Sequence, residues 1–417
     1  MKFLKNVKKI HFIGIGGVGV SAIARMARLK KIKVSGSDQS ISLLAEKIQN
    51  IGGKICVGHK KENINNVDMV VYSPAIQENN PELVYARKLN IPCFSYPEIL
   101  GLISKNTFTI AISGTHGKTT TVSMLAEVLI YSNLDPTVVV GGLLKKQQDN
   151  FVLGDSNIFL VEACEYKKSF LNLYPNILVI TNIDSDHLDY YSSFKEIQKT
   201  FNKLIDLVPK YGHIVCNSKD INVKRKIIDY TKEKIDFNLL VPGEHNRSNA
   251  KIVLAVGKLL NIKREKIVKI LKKYEGTWRR FDYMGITKNN SLVYNDYAHH
   301  PNEIKAVIQG AREKYSDKKL IVVFQPHLYS RTKIFLNDFK KALNMADKII
   351  ITDIYAAREK NDESIHAKDL LIKKSKYIKE TKNIIKELKQ KKDSIILIIG
   401  AGDVYKIGEK LVDKDKT

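Results

Sequence analysis

The sequence predicts an α/β protein of three domains built on mostly parallel sheets. Three observations lead there. Apolar runs of strand length alternate with helical patterns along all 417 residues. Two glycine-rich loops, Gly14-x-Gly16-x-x-Gly19 and Gly114-x-x-Gly117-Lys118, each follow an apolar run and open a helical pattern. The length exceeds what one core comfortably supports, which favours two or three domains.

The elements fall into three blocks. Residues 1–105 read as a Rossmann-like first domain, with "KIHFIGI" a strand, "GVGVSAIARMARLK" a helix, and "KVSGSD" and "MVVYSPAI" later strands. Residues 106–275 read as a central phosphate-loop ATPase-type domain. Its strands are "TFTIAISG", "IFLVEA", "ILVITN" and "HIVCN", and its last helix begins near "GEHNRSNAKIVLAVGKLL". Residues 276–417 read as a second Rossmann-like domain, with strands "LVYNDY", "KLIVVFQP", "KIIITDIY" and "SIILIIGAG". The breaks are placed in "SYPEILGLISKN" and "KKYEGTWRRF".

Composition narrows the function classes. Hydrophobic content of 44% and charged content of 27% are those of a soluble globular protein. No apolar stretch approaches the ~20 residues that span a bilayer. The basic-then-apolar start is interrupted by glycines and reads as a strand, so the expected location is cytoplasmic. The four cysteines, Cys56, Cys93, Cys164 and Cys216, show no metal or redox spacing and fit reduced thiols. The net charge of +25 raises nucleic acid or an anionic membrane surface as a partner. Yet the lysines are scattered on helical polar faces and no aromatic-laced basic module appears, so no specific nucleic acid is expected. Attraction of small polyanions such as nucleotides remains.

The first glycine loop suits a diphosphate. Gly14, Gly16 and Gly19 let the backbone approach it, and the helix start offers unpaired N–H groups. Asp38 ends the next strand, where an acid would face a ribose. By itself this fingerprint names no base. It admits an NAD-dependent dehydrogenase, or a tight turn that holds nothing.

The second loop, "SGTHGKTTT", suits a triphosphate. Gly114 and Gly117 free the backbone to wrap an anion, Lys118 can lie between the β- and γ-phosphates, and the Thr119 hydroxyl can ligate Mg²⁺. Glu162 ends the strand "IFLVEA", beside the phosphates. Asp184, Asp186 and His187 follow the next strand, at the edge where open α/β sheets bind ligands, and are read as a metal or phosphate group. Dehydrogenases do not need the second loop, and motor ATPases do not need the first.

Together these residues resemble the Mur ligases, the ATP-dependent amide ligases of peptidoglycan precursor synthesis. The segments that carry the resemblance are "GIGGVGVSAIA", "VSGSD", "VVYSPAI", "GTHGKTTT", "TNIDSDHLDYY", "GEHNRSNA", "RRFD", "DYAHHPNEI" and "FQPHLYSRT", in family order from residue 13 to beyond residue 350. The short loop is the family form, so Ile112, where a longer phosphate loop has glycine, marks no loss. The resemblance, strongest to the alanine-adding branch, implies domains for the UDP-sugar, ATP and the incoming amino acid. It implies the joining of L-alanine to UDP-N-acetylmuramate, with ATP and Mg²⁺ as cofactors.

The roles it implies are specific to position. Gly14, Gly16, Gly17, Gly19, Asp38 and Ser73 would serve the UDP-sugar. Gly114, Thr115, His116, Gly117 and Thr120 would wrap the ATP phosphates. Lys118 would contact the β- and γ-phosphates, Thr119 would hold magnesium, and Glu162 and His187 would join it there. Asn246 would contact adenine, with Asn249 one turn away on the same face. Arg280 would reach the γ-phosphate and Asp296 the ATP ribose. Tyr297, His299 and Arg331 would lie near the amino acid and the acyl phosphate. The chain departs from the family pattern at Cys164 and Lys167, where acids are common, and at Leu328, where arginine is common. It is also on the short side for the alanine-adding branch.

The chemistry explains the parts. A carboxylate has oxide as its leaving group, and phosphorylation makes the leaving group phosphate. An amine then attacks the acyl phosphate. Lys118, Arg280 and Mg²⁺ suit the charge, and His299 or His300 is a candidate to take a proton from the alanine ammonium. Hinged domains that close on their ligands would keep water out. A murein peptide ligase, which joins a recycled tripeptide to the same UDP-sugar, is the near rival. An NAD-dependent dehydrogenase or a catalytically inert UDP-sugar sensor is the distant one. Among partners the expectation is substrates only, with no membrane insertion and a monomer or homodimer.

Overall fold

A computed structural model of the chain describes residues 6–186, 190–221, 223–357 and 359–412. It contains three sheets, each flanked by helices, and so has the expected three-domain α/β architecture with mostly parallel strands.

The first sheet has the order β3-β2-β1-β4-β5, all parallel. Its strands are β1 (Lys9–Ile13), β2 (Lys33–Asp38), β3 (Lys54–Val57), β4 (Met69–Tyr72) and β5 (Cys93–Ser95). The helices are α1 (Val18–Leu29), α2 (Leu43–Asn50), α3 (Pro81–Lys88) and α4 (Tyr96–Ser104). The strand order reverses between β1 and β4, which opens a crevice at their carboxyl ends. The Gly14 loop and Ser73 sit at that edge, with Ser73 N–H donating to the Ile13 carbonyl.

The second sheet has the order β12-β11-β10-β6-β9-β7-β8. Its strands are β6 (Phe108–Ser113), β7 (Thr137–Leu144), β8 (Asp149–Val152), β9 (Ile158–Glu162), β10 (Ile177–Ile180), β11 (His213–Cys216) and β12 (Ile228–Asp229). Helix α5 (Lys118–Tyr131) follows β6, and α6 (Phe194–Asp206) follows β10. β6 is central because it is apolar on both faces, with five of its six residues buried. Its neighbours β9 and β10 bring Glu162 and Thr181 to the loop that follows it, through Ala163 N–H to the Ile112 carbonyl and Thr181 N–H to the Ser113 carbonyl. The antiparallel hairpin β7–β8 had no counterpart in the strand reading.

The third sheet has the order β13-β14-β18-β15-β16-β17. Its strands are β13 (Asp282–Ile286), β14 (Leu292–Asp296), β15 (Lys319–Phe324), β16 (Lys348–Ile351), β17 (Ser375–Tyr377) and β18 (Ser394–Ile399). Only β13 runs antiparallel to its neighbour. β18, "SIILII", is buried at every position and forms the middle of the sheet. Between the second and third sheets in chain order run α7 (Glu244–Leu259) and α8 (Arg264–Leu271), and the helices after β14 are α9 (Pro301–Lys314), α10 (Tyr329–Ile334), α11 (Leu336–Leu343), α12 (Thr381–Leu388) and α13 (Lys406–Leu411).

The chain divides into two compact units. The first holds the chain up to Ile183 with Lys195–Lys232 and Ala255–Lys263, and so contains the first two sheets. The second holds Asp184–Phe194, Glu233–Leu254 and the chain from Arg264 onward, with the third sheet. Among the described residues, no helix is long and apolar enough to cross a membrane.

Candidate functional site

In the first unit, the glycine loop after β1 is shaped by what packs on it. Gly14 has φ +77°, and its N–H donates to the Ser37 carbonyl at 2.9 Å. Gly16 N–H donates to Asp38 Oδ2 at 2.8 Å, and Asp38 Oδ1 accepts the Gln39 N–H. The Asp38 carboxylate therefore braces the loop from below. A Cβ on Gly19 would fall 2.5 Å from the Tyr96 ring, so that glycine lets α4 approach the start of α1. Gly17 is the N-cap of α1, and its own side-chain position is filled by no capping group.

The phosphate loop is held more tightly. Gly114 has φ +125° and Gly117 φ +82°, backbone that favours glycine. A Cβ on Gly114 would lie 2.1 Å from Thr181 Oγ1. Thr115 N–H donates to the Asn182 carbonyl at 3.0 Å, and His116 N–H to Asn182 Oδ1 at 2.9 Å. The His116 carbonyl accepts from Thr181 Oγ1 at 2.6 Å and Asn182 Nδ2 at 3.0 Å. The end of β10 thus fixes the loop that ends β6.

At the start of α5 two functional side chains each meet a carboxylate. Lys118 Nζ lies 2.9 Å from Glu165 Oε2 and donates to the carbonyls of Gly114 and Thr115. Burial works against its charge, but the Glu165 carboxylate outweighs that and raises the ammonium above its usual range. Thr119 Oγ1 donates to Glu162 Oε2 at 2.9 Å, and the same oxygen accepts the Gly141 N–H at 2.9 Å. Thr120 and Thr121 are buried along the same turn. A hydroxyl and a carboxylate converging beside a phosphate loop are the hard oxygen donors a divalent cation takes. His187, expected to share that cation, lies outside the described residues.

In the second unit, Asp296 ends β14 and is buried. Its Oδ2 accepts the Phe281 N–H and its Oδ1 the Ala298 N–H, both at 2.7 Å. Burial pushes its carboxyl up to about 6, against the pull of Arg280 and these amides. The Arg280 guanidinium sits 5.2 Å over the Tyr297 ring and 3.9 Å from Glu303. Arg279 and Phe281 on either side have positive φ, so Arg280 sits in a tight turn just before β13.

The "AHHP" histidines have different jobs. His300 is the N-cap of α9, paired with Glu303 in a capping box, and its ring packs on Phe335. His299 Nδ1 donates to the Tyr297 carbonyl at 3.0 Å, which leaves Nε2 as the lone-pair nitrogen. Burial, with Arg331 adding to it, lowers its pKa to about 4. His299, His327 and Tyr355 form a run of rings 5.7–5.8 Å apart. Arg331 is buried, 3.0 Å from Asp186 and 3.3 Å from His327 Nδ1. Asp184 accepts from Asn302 Nδ2 at 2.6 Å. Leu328, next to His327, is buried with φ +72° and ψ 135°, a costly backbone for a non-glycine residue. Asn246 and Asn249 are both buried on α7, and Asn246 Nδ2 donates to the Pro242 carbonyl.

The structure thus brings Lys118, Thr119 and Glu162 together in the first unit, and Arg280, Asp296, Tyr297, His299 and Arg331 to the strand ends of the second. Four contributors escaped the sequence reading. Glu165, the partner of Lys118, stands in a stretch with no motif of its own. Asn182 and Gly141 act through a side-chain amide and a backbone N–H, which no motif marks. Glu303, which accepts from the His299 and His300 amides, was legible as the acid three residues after a helix cap.

Three family profiles match in order: "Mur ligase family, catalytic domain" over 9–107, "Mur ligase middle domain" over 112–229, and "Mur ligase, glutamate ligase domain" over 279–402. The chain is 42% identical to the UDP-N-acetylmuramate–L-alanine ligase of Clostridium acetobutylicum, covering 98% of both chains. It is 40% identical to that of Caldanaerobacter subterraneus, covering 99% of both. Among solved structures it resembles the UDP-N-acetylmuramate-alanine ligase of Thermotoga maritima, with TM-score 0.82, 28% identity, and coverage of 97% and 98%. A murein peptide ligase from Psychrobacter arcticus shares the fold, with TM-score 0.68 and 22% identity over 97% and 98% of the chains.

Proposed function

The chain belongs to the Mur ligase family, and from that premise we propose how its residues join L-alanine to UDP-N-acetylmuramate at the expense of ATP. The observation that carries the reading is the pair of contacts at the start of α5. The Lys118 ammonium and the Thr119 hydroxyl stand on separate carboxylates at the mouth of a phosphate loop.

In this reading the α1 loop holds the UDP diphosphate through backbone N–H groups, with Asp38 and Ser73 shaping it. The loop Gly114–Gly117 wraps the ATP phosphates, and Lys118 moves its ammonium from the loop carbonyls to the β- and γ-phosphates. Thr119 and Glu162 would hold Mg²⁺, which when bound supplies positive charge to the transferring phosphoryl group. Asn246 and Asn249 serve the adenine end. Arg280, held over Tyr297, is the cation for the γ-phosphate. Asp296 serves the ribose once its present backbone partners yield or share its oxygens. Neutral His299 accepts the proton that the alanine ammonium must lose, at Nε2. Arg331, fixed by Asp186, anchors the amino-acid carboxylate. The work belongs in the cytoplasm, where ATP and UDP-sugars are found.

The murein peptide ligase reading rests on likeness of fold alone, and the dehydrogenase reading leaves the whole Lys118 site without a use. The test is phosphate release from ATP in the presence of UDP-N-acetylmuramate, with L-alanine, glycine, L-serine or the tripeptide as the amine. L-alanine should give the highest kcat/KM, and Lys118→Ala should abolish release. Equal turnover by Lys118→Ala, or turnover with the tripeptide alone, would overturn the assignment.

A further inference from the structure

We propose that the β7–β8 hairpin is a spacer between the diphosphate loop and the metal-binding carboxylate, with Arg25 and Asn150 as the positioning residues that set it. The inference rests on the reaction assigned above. Both ends of the spacer lie in the first unit.

One end touches Glu162. β7 pairs in parallel with β9, Val139 opposite Val161, so Gly141 arrives at the end of β9. There its N–H donates to Glu162 Oε2, and a Cβ on Gly141 would lie 2.8 Å from Oε1. The hairpin backbone therefore sets where that carboxylate points.

The other end grips α1. The Arg25 guanidinium donates to both oxygens of Asp149 and to Asn150 Oδ1 on β8, while its Nε reaches the Ser21 carbonyl at 3.3 Å. The guanidinium also lies 5.7 Å from the centre of the Phe151 ring. Asn150 is fully buried and donates its amide to the carbonyl of Val18, the first residue of α1 after the N-cap Gly17. Lys47 on α2 adds a contact to the Gln148 carbonyl at 2.6 Å.

A buried guanidinium is costly unless its donors are used. Simple adhesion between two apolar faces would not need it. What the Arg25–Asp149–Asn150 group adds is direction: it ties β8 to the turn of α1 that starts at the diphosphate loop. The sugar acid hangs from the diphosphate, and the phosphoryl group it attacks is placed by Lys118 and Glu162. The reacting oxygen must come within about 3–3.5 Å and in line, and an error of ~1 Å costs up to ~10²-fold in rate. The hairpin is in contact with both anchors.

The test uses the full-length protein and the variants Arg25→Ala, Arg25→Lys, Asn150→Ala and Lys47→Ala. Two readouts are taken: single-turnover ADP formation from ATP and UDP-N-acetylmuramate without amino acid, and amide hydrogen exchange over 14–18 and at Gly141. Arg25→Ala and Asn150→Ala should slow ADP formation about ten- to a hundredfold, with the KM for ATP within about twofold of the parent's. Exchange at the two distant segments should rise together. Arg25→Lys should recover part of the rate, and the Arg25→Ala/Asn150→Ala pair should lose far less than the product of the singles. Should Arg25→Ala not fold, Asn150→Ala and Lys47→Ala decide the matter. The spacer is refuted if folded variants melt at lower temperature yet keep the parent's single-turnover rate, or if exchange rises in one segment alone. A parent that forms no ADP sinks the assigned reaction instead, and the exchange data still judge the spacer.

Discussion

At the scale of single residues, the site is governed by atoms that have nowhere else to go. Gly114 cannot carry a side chain, because its φ of +125° and the Thr181 hydroxyl at 2.1 Å from a Cβ both forbid it. Gly114→Ala should destabilise the folded chain by about 2 kcal/mol or more and abolish ATP turnover, read by melting and phosphate release. His299 has its Nδ1 committed and a pKa lowered to about 4, so it is neutral at pH 7 with Nε2 as its lone-pair nitrogen. His299→Gln should reduce kcat about a hundredfold while leaving the KM for ATP unchanged. The same group affects stability. Its folded pKa is below its unfolded one, so between about pH 6.5 and pH 4 the unfolded chain binds the extra proton and stability falls as pH falls. In His299→Gln that part of the decline should be absent from melting temperatures measured across this window.

At the scale of elements, sheet ends position the site and buried polar groups hold the elements in register. Glu82, in the first turn of α3 and fully buried, joins three other elements of the first sheet. It accepts from Ser37 Oγ of β2 at 2.5 Å, lies 3.7 Å from His11 Nε2 of β1, and takes Asn63 Nδ2 from the short turn between β3 and β4. Burial would raise its pKa, but these donors win and lower it to about 2. The folded value lies below the unfolded value of 4.5, so this stabilisation is complete above pH 4.5 and is lost as pH falls toward 2. The span corresponds to about 3 kcal/mol. Glu82→Gln should be less stable at pH 7 and show a shallower acid limb in denaturant titrations. The regular elements were largely legible: the strands from "KIHFIGI" to "SIILIIGAG" are where their apolar runs place them. The hairpin β7–β8 was not, because glycines at 141 and 142 break its alternation and its partners are 100 or more residues away in α1.

At the scale of the whole molecule, the net charge of +25 predicts an attraction for small polyanions. Both nucleotide substrates are polyanions, and a cationic surface raises their local concentration. The KM for UDP-N-acetylmuramate should therefore rise with ionic strength, while kcat stays nearly constant. An ionic-strength series from 0.05 to 0.5 M, a range over which the Debye length shrinks several-fold, checks this. A flat KM would mean that the lysines are spread too evenly to steer.

The sequence by itself determined the α/β class, the two glycine-rich loops that open helices and the ligase family. These depend on local periodicity, glycine conformational freedom and residue types a few positions apart. Tertiary structure alone decided which carboxylate meets Lys118, that Asp38 braces its loop and Asp296 is held by backbone amides, and that His300 caps a helix while His299 bonds the Tyr297 carbonyl. Those facts depend on contacts between segments distant in the chain, and on burial, which sets the charge of a group and appears only once the sheets are stacked.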